Sequence, residues 1–261
     1  MLNDITKLLN ECDSLLITAG AGMGVDSGLP DFRGNHGFWK EYPIFKDKLN
    51  FSKVATPQTF KNNPELAWGF YDRYDTYKNI IPHLGFSLLL EIAKKKFNNK
   101  YFVITSNVDE QFQKAGFNPA YIEEIHGSIF NFQCITGCKY ETWRNDYTFN
   151  IDNTKCISKI IPLCKFCNDT ARPNILMFND GDWVYNPIQH EQFEKWSKTV
   201  KSPLVIEIGA GKSISSIREI SEDYKNTLIR INPTEADIPH NKGISLYMTG
   251  LEGIRLIHSL I

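Results

Sequence analysis

The chain has no apolar run near the ~20 residues of a membrane-spanning helix, so no membrane partner is expected. It has no surplus of either charge: 29 Lys and Arg against 30 Asp and Glu leave a net −1. Nucleic-acid binding driven by bulk charge is therefore not expected. There is no internal repeat and no low-complexity linker. Met1 to Ile5 lack the basic start and apolar stretch of a signal peptide, so a cytoplasmic protein is expected. Cysteine is sparse, with six residues, and in a reducing compartment metal binding is the expected use rather than disulfides. What remains, 42% hydrophobic and 23% charged over 261 residues, suits a globular protein with one good-sized core and a small second lobe.

The hydrophobic pattern alternates between two periods. Ile5, Leu8, Leu9 and Cys12 repeat at helical spacing over 4–12. Strands are expected at about 14–18, 101–105, 121–125, 174–178, 203–208, 227–231 and 244–247, with helices at about 63–79, 83–97, 187–199, 213–224 and 250–260. Asn63 and Pro64 cap and open the helix at 63–79, and its aromatic face (Trp68, Phe70, Tyr71, Tyr74, Tyr77) reads as core packing. Residues 34–62 show no period and read as a long functional loop or lid. Alternating strands and helices with apolar strand runs predict an α/β fold, a Rossmann-like parallel sheet covered by helices on both faces. Residues 130–173 break the pattern and read as a small inserted module.

Chemistry concentrates at the predicted strand ends. Leu15-Leu16-Ile17-Thr18 runs into Gly20-Ala21-Gly22-Met23-Gly24, the strand-to-glycine turn that presents backbone N–H groups to a pyrophosphate. Val25 stands where a strict G-x-G-x-x-G needs its third glycine. Gly28 to Gly34 follow, with Asp31, Phe32 and Arg33 suited to a loop folding over a charged planar ligand. Thr105-Ser106-Asn107-Val108-Asp109 sits at a second strand end, where Asn and Asp either cap a loop or bind an amide and ribose hydroxyls. His126 with Gly127 ends a third, as a structural histidine or a general base. Gly209-Ala210-Gly211-Lys212 is a further strand-to-helix turn. Cys134, Cys138, Cys164 and Cys167 have the spacing of a four-thiolate zinc site, a closed site that holds structure without catalysing. Cys156 lies between the pairs and could replace one ligand, and Cys12 reads as core.

Together these blocks resemble the sirtuin family of NAD-dependent protein deacylases, from about residue 10 to about residue 250. The family's G-A-G-x-S-x-x-S-G-I-P-D-F-R block is matched over 20–33, with Gly24 where Ser is usual. Its T-Q-N-I-D is matched at Thr105, Asn107 and Asp109, with Ser106 in place of Gln. The resemblance implies that Asn107 and Asp109 lie near nicotinamide and its ribose, and that His126 is the catalytic base. It implies an NAD site formed by Gly20, Ala21, Gly22, Asp31, Phe32, Arg33, Ser106, Asn107, Asp109, His126, Gly209, Ala210, Gly211 and Asn232, the last near adenosine. It implies structural zinc on the four cysteines. It also implies an acyl-lysine peptide paired along Arg172, Pro173 and Phe178, where Asn179-Asp180 departs from the family's F-G-E. The implied layout is an NAD-binding domain of 1–33, 98–129 and 174–261, a cofactor loop and helical insertion over 34–97, and a zinc module over 130–173. The implied reaction yields nicotinamide, O-acyl-ADP-ribose and free lysine. Two rivals remain: an ADP-ribosyltransferase or NAD hydrolase using the same site, and a non-catalytic NAD or ADP-ribose sensor.

Overall fold

The computed structural model describes residues 1–30, 43, 50–71, 73–145, 147–152, 155–239 and 243–261. The chain divides into two compact units, Met1–Asp31 with Ile81–Ile125 and Pro187–Ile261, and Phe32–Ile80 with His126–Asn186. In chain order the strands are β1 Ser14–Ala19, β2 Tyr101–Thr105, β3 Ile122–Glu124, β4 Gly127–Cys134, β5 Thr142–Arg144, β6 Ile151–Asp152, β7 Ile157–Ser158, β8 Ala171–Ile175, β9 Pro203–Ile208, β10 Leu228–Ile231 and β11 Ile244–Leu246. Among the described residues, no helix is long and apolar enough to cross a membrane.

The first unit is the expected parallel sheet, ordered β11-β10-β9-β1-β2-β3. Every residue of β1, β2, β9 and β10 is buried, because both faces are covered. Side chains alternate across a strand, so Leu15 and Ile17 enter one core and Leu16 the other. The first core takes Ile5 and Leu9 of the helix Leu2–Glu11, Phe86 and Leu89 of Leu84–Phe97, and Ile254 and Ile257 of Gly250–His258. The second takes Trp196 of Pro187–Ser197 and Ile217 of Ser216–Glu222. Two charges break the apolar pattern. Arg230 and Glu207, both fully buried, form a bidentate pair at 2.6 and 2.8 Å.

The second unit holds an antiparallel sheet, β5-β4-β8, and a two-stranded ribbon, β6-β7. Its core is aromatic. Trp68 is fully buried, stacks on Phe149 at 4.8 Å, meets Phe60 and Phe132 edge-on, and donates its indole N–H to Ala171 O. The core-packing reading of that aromatic face holds for Trp68, Phe70, Tyr71 and Tyr77.

Three expected boundaries move. The single helix over 63–79 is two, Pro64–Phe70 and Arg73–Asn79, because Tyr71 leaves helical geometry with its N–H shared between Ala67 O and Gly69 O. The strand expected at 174–178 is Ala171–Ile175. Pairing with β4 fixes it there, and Pro173 is tolerated because β8 is an edge strand. The stretch 34–62 ends in two short helices, Phe51–Val54 and Pro57–Asn62. Thr56 caps the second by accepting from Thr59 N, ahead of Pro57 at the first helical position.

Candidate active site

In the first unit the strand order reverses between β1 and β9, the place where open α/β sheets bind ligands beyond their carboxyl ends. Both glycine turns sit there. A Cβ at Gly22 would lie 2.7 Å from Gly209 Cα, and one at Gly20 2.8 Å from Ala210 Cα. Gly209 also has φ +65°, a region that favours glycine. The N–H groups of Gly20 and Gly22 are engaged by Ile208 O and Gly209 O. These glycines therefore serve first to let two turns touch, and those two N–H groups do not face outward to phosphate.

The turn after β9 is laced to the end of β10 in the same way. Gly209 N–H donates to Ile231 O, and the Asn232 amide to Ala210 O at 2.9 Å. Asn232 Oδ1 accepts from the N–H groups of Thr234 and Glu235. Arg218 holds the carbonyls of Glu235 and Asp237, and Arg230 also binds Asp237 O. Lys212 pairs with Asp237 at 2.9 Å, and its N–H donates to the Glu235 carboxylate close to Gly211.

The loop after β2 is anchored on β1. Ala19 O accepts from Ser106 N–H and from the Thr105 hydroxyl, and Thr105 Oγ1 accepts from Asn107 N–H. Asn107 and Asp109 are buried. Asp109 Oδ1 accepts from Gln111 N–H, and burial pushes the carboxyl up to about 6. A Cβ at Gly24 would meet the Leu29 side chain at 3.1 and 3.2 Å and stand 3.6 Å from Asp109 Oδ2, so the glycine found where the family has serine lies beside this carboxylate. Glu110 sits at φ +52°, an uncommon conformation for a glutamate and a local strain of order 1 kcal/mol.

Two residues of this unit were missed in the sequence. His83 caps the helix Leu84–Phe97 by accepting from Gly85 N–H at Nδ1, and its Nε2 meets Met23 O at 3.0 Å beside the glycine turn. Burial lowers its proton affinity, which suits this neutral tautomer. The signal was a histidine directly after Pro82 at a helix start. Glu124 is the other, a carboxyl side chain ending the short strand β3.

In the second unit His126 is half-buried, and its carbonyl accepts from Leu176 N–H at 3.0 Å. Phe178 N–H continues to Ala55 O. The departure at 179–180 is held by local contacts. Asn179 adopts φ +55°, which asparagine tolerates in place of glycine. Asp180 forms a fully buried pair with Arg172 at 2.7 Å and accepts from Met177 N–H, as a glutamate could. Asp31, Phe32 and Arg33 lie outside the described residues.

Cys134, Cys138, Cys164 and Cys167 converge, with all four sulfurs within 4.8 Å of one another. The Sγ distances Cys134–Cys167 and Cys138–Cys164 are 3.6 and 3.7 Å. A tetrahedral zinc with Zn–S near ~2.3 Å needs sulfurs about 3.8 Å apart, so the donors present fit that ion. Cys156 is outside the cluster: it is buried, and its carbonyl packs where a Cβ on Gly69 would be. The substitute-ligand expectation is corrected accordingly. Chelation should lower Tm by more than about 10 °C, because the metal's binding energy is folding energy for this unit. Differential scanning calorimetry with and without a strong chelator checks this, and an unchanged Tm after proven metal removal would rule out a structural ion.

Comparison with known proteins agrees with this geometry. A model of the Sir2 family matches residues 20–216. The chain is 29% identical over 256 residues to an NAD-dependent protein deacylase of Leptospira interrogans, covering 95% of this chain and 92% of that one. It is 31% identical over 183 residues to an NAD-dependent protein deacylase of Pyrococcus furiosus, covering 69% and 67%. The crystal structure of a Sir2 homolog–NAD complex superposes with a TM-score of 0.75 at 22% identity, covering 99% of this chain and 93% of that one, and shares the fold. The chain belongs to the Sir2 family.

Proposed function

We propose that the chain is an NAD-dependent protein-lysine deacylase. The observation that carries the reading is the Asn107–Asp109 loop: at the end of β2, beside the switch point, a buried carboxylate is fixed through one oxygen, with the other next to the bare Cα of Gly24. Family membership and the deacylase names of the two relatives support the same reading.

NAD, when bound, supplies the ADP-ribosyl group that accepts the acyl chain, with nicotinamide as leaving group. The chain's residues bind and orient around that chemistry. Asp109 accepts from the nicotinamide amide, and Asn107 offers a donor and an acceptor to the amide or ribose. Gly20, Ala21, Gly22, Gly209, Ala210, Gly211 and Asn232 hold the rest of the dinucleotide, with Ser106 beside the ribose. Asp31, Phe32 and Arg33, outside the described residues, are the residues the family resemblance assigns to keeping water from the reacting carbon. His126 takes a proton from a ribose hydroxyl during acyl transfer. The peptide lies along the edge of β8 and residues 176–178, whose Leu176 and Phe178 side chains are exposed. Zinc on the four cysteines holds the second unit together and takes no part in the reaction. A cytoplasmic location belongs to the same reading, supported by the reduced thiolates such a site requires.

Mass spectrometry of the products from purified protein, NAD and an acetyl-lysine peptide tests the reading. Deacetylated peptide with O-acetyl-ADP-ribose is expected. ADP-ribose with the peptide untouched would replace it with NAD hydrolysis, and ADP-ribosylated peptide with transfer.

A further inference from the structure

Glu124 ends β3 opposite Thr105, the residue whose Oγ1 receives the Asn107 N–H. Two amides grip it. Gln189, from the helix Pro187–Ser197, accepts the Glu124 N–H at 3.0 Å and donates to Oε2 at 3.4 Å. The Gln113 amide, from the helix Gln111–Lys114, acts on the same carboxyl. Among the described residues, Oε1 is buried and has no partner, no cation answers this carboxyl, and the charged groups acting on it are the carboxylates of Glu110 and Asp109. Lys114 acts on Asp109, and His190, on the same helix as Gln189, pairs with Glu123 at 3.0 Å. The orphaned, buried oxygen suits a carboxylic acid, since a buried carboxylate would need a cation or more donors than the amides of Gln189 and Gln113 supply.

We propose that Glu124 is a positioning residue of the nicotinamide end of the site, and that it acts as the neutral acid, bracketing the end of β3 to two helices so that the Asn107–Asp109 loop keeps its place. What is positioned rests on the deacylase reading; the bracket and its protonation state do not. Burial, then the Glu110 charge, pushes the carboxyl up to about 8, in keeping with a proton held at neutral pH. Ionisation would set a third negative charge beside Asp109 and Glu110 and weaken the hold on the loop.

The test compares the parent with Glu124→Gln and Glu124→Ala. Glutamine keeps the shape and the neutral charge. At pH 7 it should retain kcat within about twofold, whereas alanine should lose at least roughly tenfold through misplaced groups. Above pH 8 the parent's kcat should fall by about tenfold per pH unit, and Glu124→Gln should stay level. Stability gives a readout free of activity. Between the ordinary glutamate range, about 4.5, and about 8, the folded parent holds a proton that the unfolded chain has lost. The Tm gap between Glu124→Gln and the parent should therefore widen through that window and stay constant above it. A gap independent of pH, an alkaline limb that persists in Glu124→Gln, or equal losses in Gln and Ala at pH 7 would each overturn the proposal. If Glu124→Ala does not fold, the Gln variant alone decides through its Tm gap and alkaline limb. A parent with no turnover would count against the deacylase reading and leave the Tm gap to decide the state of Glu124.

Discussion

Replacing His126 with alanine should cut acyl transfer by about 10²- to 10⁴-fold near pH 7.5, the range for losing a positioned general base. The loss should appear in kcat and much less in KM for NAD, because in the proposed mechanism the group removed acts on a proton that moves during the reaction. Nicotinamide release does not depend on that proton, so nicotinamide exchange should fall less than deacylation. The main-chain bond from Leu176 N–H to the residue-126 carbonyl survives the change, which keeps the segment carrying Leu176 and Phe178 in place. Parallel measurement of labelled-nicotinamide exchange and of deacetylated peptide separates the two steps. Equal losses in both would make His126 a residue for holding NAD. Full deacylation by the variant would remove it from the mechanism.

The sheet was legible because its strands are buried on both faces and so read as uninterrupted apolar runs; Leu15 to Ile17 and Leu204 to Ile206 are fully buried. The loops that end in Asn107 and His126 were legible because they follow such runs. The work of the glycines was harder to read. Gly22 and Gly209 are 187 positions apart in sequence, and only the folded chain shows that they touch. The same holds for the fifth cysteine near the metal site. Spacing alone admitted Cys156, and only its packing on Gly69 sets it apart. Lys212 beside a glycine turn suggested an anion, but its partner, Asp237, comes from a segment pinned by two buried arginines. Asn179 shows the opposite limit. Its departure from the family pattern looked like a loss, yet at φ +55° asparagine does nearly what glycine does.

Asp109→Asn should make the protein more stable and less active at once. The carboxyl is buried, with one oxygen bound to Gln111 N–H, and its proton is lost only near pH 6 in the folded chain against 3.8 as the ordinary value. Below 3.8 the proton is bound in both states and the carboxyl adds no pH-dependent cost. As pH rises from 3.8 to 6 the unfolded chain releases it first, so stability falls through that window and the full cost is present above it. At 1.36 kcal/mol per pH unit this is about 3 kcal/mol. Asparagine keeps an acceptor for Gln111 N–H and has no charge to bury. Its Tm advantage should therefore grow from pH 4 to pH 6.5 and reach roughly 6 °C, at about 2 °C per kcal/mol for a chain of this size. Activity should move the other way. In the proposed mechanism the carboxylate beside Gly24 is the acceptor for the nicotinamide amide, and its loss should slow nicotinamide release by about 10²-fold, the scale seen when one preorganised electrostatic partner is removed. Melting curves across pH and nicotinamide-release rates, taken on the same preparations, check both halves. A variant no more stable than the parent at pH 7 would mean that the folded protein accommodates the charge, and full activity would mean that Asp109 does not meet the leaving group. The pairing of higher stability with lost turnover would mark the charge as one the fold tolerates for the sake of the reaction.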